Sequence, residues 1–225
     1  MSLIKNGLLI ACFSLLLGCA AQSPVTKENY SGFMSDEQYS QLQQVKLDNG
    51  NTVMRWISPE LGNAQYSKVL IEPVAFHPQP KATEQVSQKT LSALQSLLTD
   101  HITKQLKQSL PVADQPAPDV LKLEIVITGV NISNEPLAAY QYIPVALIAS
   151  GVNQAAGGRD QAVNLFAEAK VSDSVNGTLM ASGVRSITGE SLENSTEKLQ
   201  ANDLDEGFAL ASDDLTDALA KLLNQ

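Results

Sequence analysis

Between Val120 and Ser133 an apolar residue falls at every second position, and no other feature of this chain restricts its fold as much. Leu121, Leu123, Ile125 and Ile127 lie on one side, while Lys122 and Glu124 lie on the other. Side chains alternate across a strand, so this spacing predicts a half-buried antiparallel strand. The alternation returns at Val163, Leu165, Ala167, Ala169 and Val171, reaches Asp173-Ser174-Val175-Asn176-Gly177, and comes back over Thr178–Thr188. That pattern is a hairpin with a turn-rich tip. A shorter hairpin brackets Asn49-Gly50, with Val45 and Leu47 before it and Val53, Arg55 and Ile57 after it. Asn-Gly between alternating runs is a strong hairpin signal. Tyr66–Val74 reads as a further strand, with Val69 and Ile71 on one face and Pro73 near its end.

From Thr83 to Ser109 the period changes. Leu91, Leu94, Leu98, Ile102 and Leu106 recur at steps of three and four, which is the stripe of an amphipathic helix. His77-Pro78-Gln79-Pro80 precedes it as a rigid connection, Pro111 stops it, and a link containing Pro116 and Pro118 follows. A second such helix is predicted from about Asp205 to Leu223, with Phe208, Ala211, Leu215, Leu219 and Leu222 as its stripe and Asp203 or Asp205 as its cap. There is no internal repeat. The sum is a single α+β domain over residues 31–225: a mostly antiparallel sheet with two amphipathic helices packed on one face.

The N-terminus carries a different signal. Lys5 precedes an almost unbroken apolar run from Leu8 to Leu17, about half the ~20 residues a transmembrane helix needs. Its proportions are those of a cleavable leader. Leu16-Leu17-Gly18-Cys19, followed by Ala20 and Ala21, resembles the lipobox of bacterial lipoprotein signal peptides. On that reading residues 1–18 are a signal peptide, Cys19 is acylated, and residues 19–30 form a lipidated tether. Each buried methylene contributes about 0.8 kcal/mol, so two or three acyl chains make a lasting attachment where one does not. By analogy with lipoprotein sorting in enteric bacteria, Ala20 after the cysteine points to the outer membrane and a periplasmic face.

Composition narrows the partners. The chain has 15 Lys and Arg against 24 Asp and Glu; loss of Lys5 with the leader leaves 14 against 24, a formal charge of −10. Such a surface argues against nucleic acid as a partner and against broad attraction to anionic lipid. Beyond Cys19 there is no cysteine, so the domain holds no internal disulfide and no nucleophilic thiol. His77 and His101 have no second ligand at metal spacing and read as packed or solvated side chains. Asp48-Asn49-Gly50-Asn51 is explained by its turn rather than by a calcium loop, and Asp213, Asp214 and Asp217 read as a solvated acidic face. No motif for hydrolase, nucleotide or dinucleotide chemistry is present, so neither a cofactor nor a metal is expected and the chain is not read as an enzyme.

One segment stands apart. Residues 136–158 carry no formal charge and include Leu137, Tyr140, Tyr142, Ile143, Val145, Leu147 and Ile148. Pro144, Gln141, Asn153, Gln154 and the glycines make a poor membrane helix. The segment is read first as a fold-back packed on the domain, then as an apolar contact surface for a partner, and last as an insertion into membrane.

Several phrases occur together: Ser31-Gly32-Phe33-Met34 with Tyr39-Ser40-Gln41-Leu42; Arg55-Trp56-Ile57; Tyr66 through Val74; and Asp173-Ser174 with Asn176-Gly177. In these the chain resembles the proteobacterial lipoprotein family called domain of unknown function 3313. The resemblance implies a periplasm-facing lipoprotein with no established activity, and it carries over no functional residue beyond the acylated Cys19. The expected function is therefore a tethered interaction or accessory module of the cell envelope, bound to membrane through Cys19 and to an envelope protein through its surface. The alternatives are an oligomeric or pore-assembly component using residues 136–158, and a cell-wall or lipid hydrolase.

Overall fold

The alternating run at Val120–Ser133 becomes the long central strand of a mixed sheet. The computed structural model describes residues 30–63, 65–134 and 160–223. In chain order the elements are α1 (Asp36–Gln41), β1 (Gln43–Lys46), β2 (Thr52–Ile57), β3 (Lys68–Ile71), β4 (Ala75–Phe76), α2 (Gln88–Ser109), β5 (Val112–Ala113), β6 (Val120–Ser133), β7 (Ala162–Asp173), β8 (Leu179–Thr188) and α3 (Asp205–Leu223). The strands lie in the order β1-β2-β8-β7-β6-β3-β5, and β4 also pairs with β6. The α+β expectation holds.

Strand β6 differs from its prediction in two ways. It is antiparallel to β7 but parallel to β3 and β4, because helix α2 crosses back between them and returns the chain in the same direction. It is also buried on both faces along most of its length, rather than half-buried. A bulge between Ile127 and Gly129 shifts its register against β7. Before the bulge Leu121, Leu123, Ile125 and Ile127 enter the main core; after it Val130 does, so the inward positions change from odd to even numbers.

Helix α2 begins at Gln88, later than the apolar period suggested, because the Ser87 hydroxyl accepts from the Thr90 amide and caps it there. Its stripe of Leu91, Leu94, Leu98, Ile102 and Leu106 joins Phe208, Ala211, Leu219 and Leu222 of α3 and the inward residues of β6, β7 and β8 in one core. Both long helices therefore cover the same sheet face, as predicted.

The opposite face carries a third helix that periodicity did not reveal. Helix α1 is six residues long, too short for a stripe, and is set by a capping box in which Ser35 and Gln38 bond each other's backbone amides. Tyr39 and Leu42 from this segment join Met34, Met54 and Val184 in a second, smaller core.

Gly207 shows how closely α3 approaches the sheet. A Cβ there would be driven into the Thr188 carbonyl and would lie 2.9 Å from Ile187 Cγ2. Helix propensity favours Ala over Gly by about 1 kcal/mol, whereas forcing an atom into a packed layer costs about 1–3 kcal/mol. The clash with backbone decides the sign. Gly207→Ala is expected to lower stability by about 1–2 kcal/mol in urea unfolding, and a more stable variant would show that the contact is not tight.

Candidate functional site

Small side chains face one another where the helices cross the middle strands. The register places Ile125, Ala169, Gly183 and Arg55 in one row across β6, β7, β8 and β2. The neighbouring row runs Leu123, Val171, Ala181 and Ile57. Above them α3 presents Ala211 and Ala218 among its leucines. Larger residues elsewhere in the core set the spacing between sheet and helices, so these short side chains do not meet. They leave an apolar cavity of about 140 Å³. A cavity of about 150 Å³ with such a lining holds one benzene.

The floor residues on β7 and β8 are mostly buried, but Val53, Arg55 and Ile57 of β2, next to edge strand β1, and Leu215 and Ala218 of α3 are only half-buried. The cavity therefore opens between the β1–β2 hairpin and α3. One end of that mouth is fastened by charge. Arg185 of β8 donates from Nη1 to Asp214 Oδ2 at 3.0 Å, with the two side chains 17% and 13% exposed. Asn49 at the hairpin tip donates to Asp214 Oδ1 at 2.7 Å. Arg185 Nη1 also reaches the Ala211 carbonyl at 3.4 Å, while its Nε is buried without an acceptor. Burial draws the Arg185 pKa below its ordinary value, and Asp214 opposes that shift.

The family described as protein of unknown function (DUF3313) matches residues 29–215. The chain belongs to that family. It is 31% identical over 180 residues to the uncharacterized lipoprotein YdcL of Escherichia coli strain K12, covering 80% of this chain and 79% of that one. Among solved structures, a homolog of the neuraminyllactose-binding hemagglutinin from Helicobacter pylori aligns with a TM-score of 0.41 at 12% identity, over 71% of this chain and 85% of that one. Lipoprotein GNA1162 from Neisseria meningitidis aligns with a TM-score of 0.30 at 14% identity, over 69% and 99%. Neither structural likeness carries function across. The E. coli relative agrees with a lipoprotein, and neither it nor the family description points to catalysis.

Two of the phrases that mark the family meet β7 in space. The Tyr39 hydroxyl donates to Glu168 Oε2 at 2.7 Å and lies 2.7 Å from the Ser31 hydroxyl. Tyr30 stacks on the Tyr39 ring at 4.0 Å, and Lys170 sits 4.0 Å over Phe33. At the other end Tyr66 donates to Asp173 Oδ2 at 2.8 Å, and Asp173 Oδ1 accepts from the Val175 and Asn176 amides. These contacts tie the strand and turn together, so the phrases describe fasteners of the fold. Burial, then the Asp173 carboxylate, pushes the Tyr66 pKa up to about 12. The Asn176 amide, with the Tyr66 hydroxyl and the Val175 amide, holds Asp173 below the usual carboxylate range.

The other predicted residues fall into place individually. Asp48, Asn49 and Gly50 form the hairpin loop, with Gly50 at φ 87°, a three-residue connection rather than a two-residue turn. Asp213 and Asp217 are exposed as expected, but Asp214 turns inward to Arg185 and leaves the acidic face. His101 Nε2 lies 2.8 Å from Asp205 Oδ1 beside Phe208, and His77 packs against Phe33. Cys19 and residues 136–158 lie outside the described residues. Among the described residues no helix is long and apolar enough to cross a membrane.

No sequence signal marks Glu168, because its alternate position on β7 reads as solvent-facing. It is 1% exposed, and its Oε1 has no hydrogen-bond partner. Burial raises its pKa above the ordinary 4.5, against the lowering pull of Tyr39, Ser31 and Lys170. The folded state thus holds a proton that the unfolded chain has lost, and stability falls as pH rises from about 4.5 through the raised value. Glu168→Gln keeps the Tyr39 contact and removes the ionisation. Its stability relative to wild type is expected to improve as pH rises from 4.5 to 7.5 in urea titrations. A difference that stays constant with pH would show that Glu168 does not titrate in this window.

Proposed function

We propose that this chain is a lipoprotein held at the periplasmic face of the outer membrane by acyl groups on Cys19, acting there as a binding module for another envelope component. The observation that carries the binding reading is the cleft between β2, β8 and α3, apolar within and open at the sheet edge. Ligand sites are typically preformed hollows of this kind with few polar groups at defined places. The anchor reading is supported by Leu16-Leu17-Gly18-Cys19 and by the lipoprotein relative. Ala20 supports the outer membrane as destination. Fully extended, the residues between Cys19 and Tyr30 span at most about 40 Å, which keeps the cleft close to the bilayer.

Two measurements test this reading. Ala20→Asp is expected to leave acylation intact, seen in the mass of the N-terminal peptide, while moving the protein to the inner-membrane fraction. Retention in the outer membrane would remove the sorting argument. Photo-crosslinkers at Ile57 and Leu215, on the rim of the cleft, are expected to capture a specific envelope component in native membranes, and one at exposed Val175 is not. Equal capture at all three positions, or none at the rim, would sink the cleft as the binding surface.

A further inference from the structure

The charges at the mouth of the cleft do not match the needs of the fold. Arg55 stands across from Gly183 on β8, and Arg185 is two residues along the same strand, so both long side chains share one corner of the cavity wall. Of the two acids that line the cavity, Glu168 is engaged by Tyr39, and Asp214 by Arg185, Asn49 and Asn51. Among the described residues no hydrogen bond or ion pair engages the Arg55 side chain. Arg185 keeps a buried Nε without an acceptor. A chain of net charge −9 thus leaves an unneutralised guanidinium at the entrance to its apolar hollow.

Inside, the row leading away from Arg55 is Gly183 and Ala169, the smallest side chains available, and it ends on Ile125. The arrangement is a cationic rim followed by a narrow apolar trough. We infer that the cleft binds a single-chain anionic amphiphile, with the alkyl chain lying over Gly183 and Ala169 and the oxyanion head held by Arg55 and Arg185. The inference rests on the binding reading above and names the chemistry of its ligand. A volume of about 140 Å³ accepts roughly the six carbons of a benzene-sized body, so one chain enters and two do not. A guanidinium fork matches the planar oxygens of a carboxylate and the oxygens of a phosphate, and the low dielectric beside the trough strengthens that pair. A fatty acid and a lysophospholipid share this chemistry.

The test uses the full lipoprotein in native envelopes, with a diazirine in the chain of hexanoic acid, of hexylammonium, and of a hexanoyl lysophosphatidylglycerol. Both anionic probes, or one of them, are expected to label residues of β8 and α3, and the one that labels identifies the source of the chain. Hexylammonium is expected to leave the cleft unlabelled. Ala218→Leu, which fills the roof of the cavity, is expected to abolish labelling there. Arg55→Gln is expected to weaken it by about tenfold, the loss of one charge-assisted contact. Thermal melting of both variants establishes that they are folded. Equal labelling by the cationic probe, or labelling indifferent to Arg55→Gln, overturns the head-group assignment. Cleft labelling by none of the probes overturns the amphiphile altogether. If the rim crosslinks to an envelope component persist in that case, the binding module itself stands; if they vanish too, both readings fall.

Discussion

Strands β7 and β8 lie in the middle of the sheet and are covered from both sides, by α2 and α3 on one face and by the α1 segment on the other. Polar groups buried on them must look for partners inside the protein, and both notable sites follow from that requirement. Towards the long helices the two strands present Ala167, Ala169, Ala181 and Gly183, and short side chains between rigid layers leave space. Towards α1 they present Glu168, Lys170, Ser182 and Val184. A carboxyl group in that position demands a donor, and Tyr39 supplies it from a helix whose Tyr39 and Leu42 also pack in the smaller core. The small helix is thus held by one buried hydrogen bond and its stacked Tyr30 together with apolar area.

The strands and long helices were legible because their signals are periodic and local. Leu121 to Ile127 and Leu91 to Leu106 need only their own spacing to declare their element and face. Three things were not legible. Parallel pairing of β6 with β3 depends on the path of the chain between them, which no period within either strand encodes. Helix α1 spans fewer than two turns, so only its Ser35–Gln38 capping box could have announced it. The inward turn of Asp214 depends on Arg185 and Asn49, 29 and 165 residues away in sequence. The cleft itself has a trace in the sequence. Ala167 and Ala169 sit on the inward side of one strand, with Ala181 and Gly183 on the facing strand, and small inward residues on paired strands mark a place where layers cannot touch.

The Arg185–Asp214 pair has a role that follows from its position rather than from its strength. A largely buried ion pair gains little net stability, because desolvation offsets most of the attraction. What this one supplies is direction: with Asn49 it fixes the hairpin tip against α3 and holds the edge strands at a set distance from the helix. Without that fastening, apolar residues on β2 and α3 would be free to close on each other. The mouth is kept open by charge while the floor is kept open by small side chains.

An open apolar hollow is not neutral for stability. At roughly 24 cal/mol per Å³, a void of this volume costs on the order of 3 kcal/mol against a total of about 5–15 kcal/mol for a domain, and entry of water at the mouth makes this an upper bound. The same space would be reduced by one larger side chain at Ala211 or Ala218, positions where leucine suits a helix almost as well as alanine. A ligand that binds only the folded form returns part of the cost by mass action. An amphiphile is present wherever a bilayer is present, and the proposed tether, at most about 40 Å long, would keep the cleft beside one. On the proposed attachment at Cys19, anchor and cavity would work as one arrangement, because the anchor would raise the local concentration of the proposed ligand.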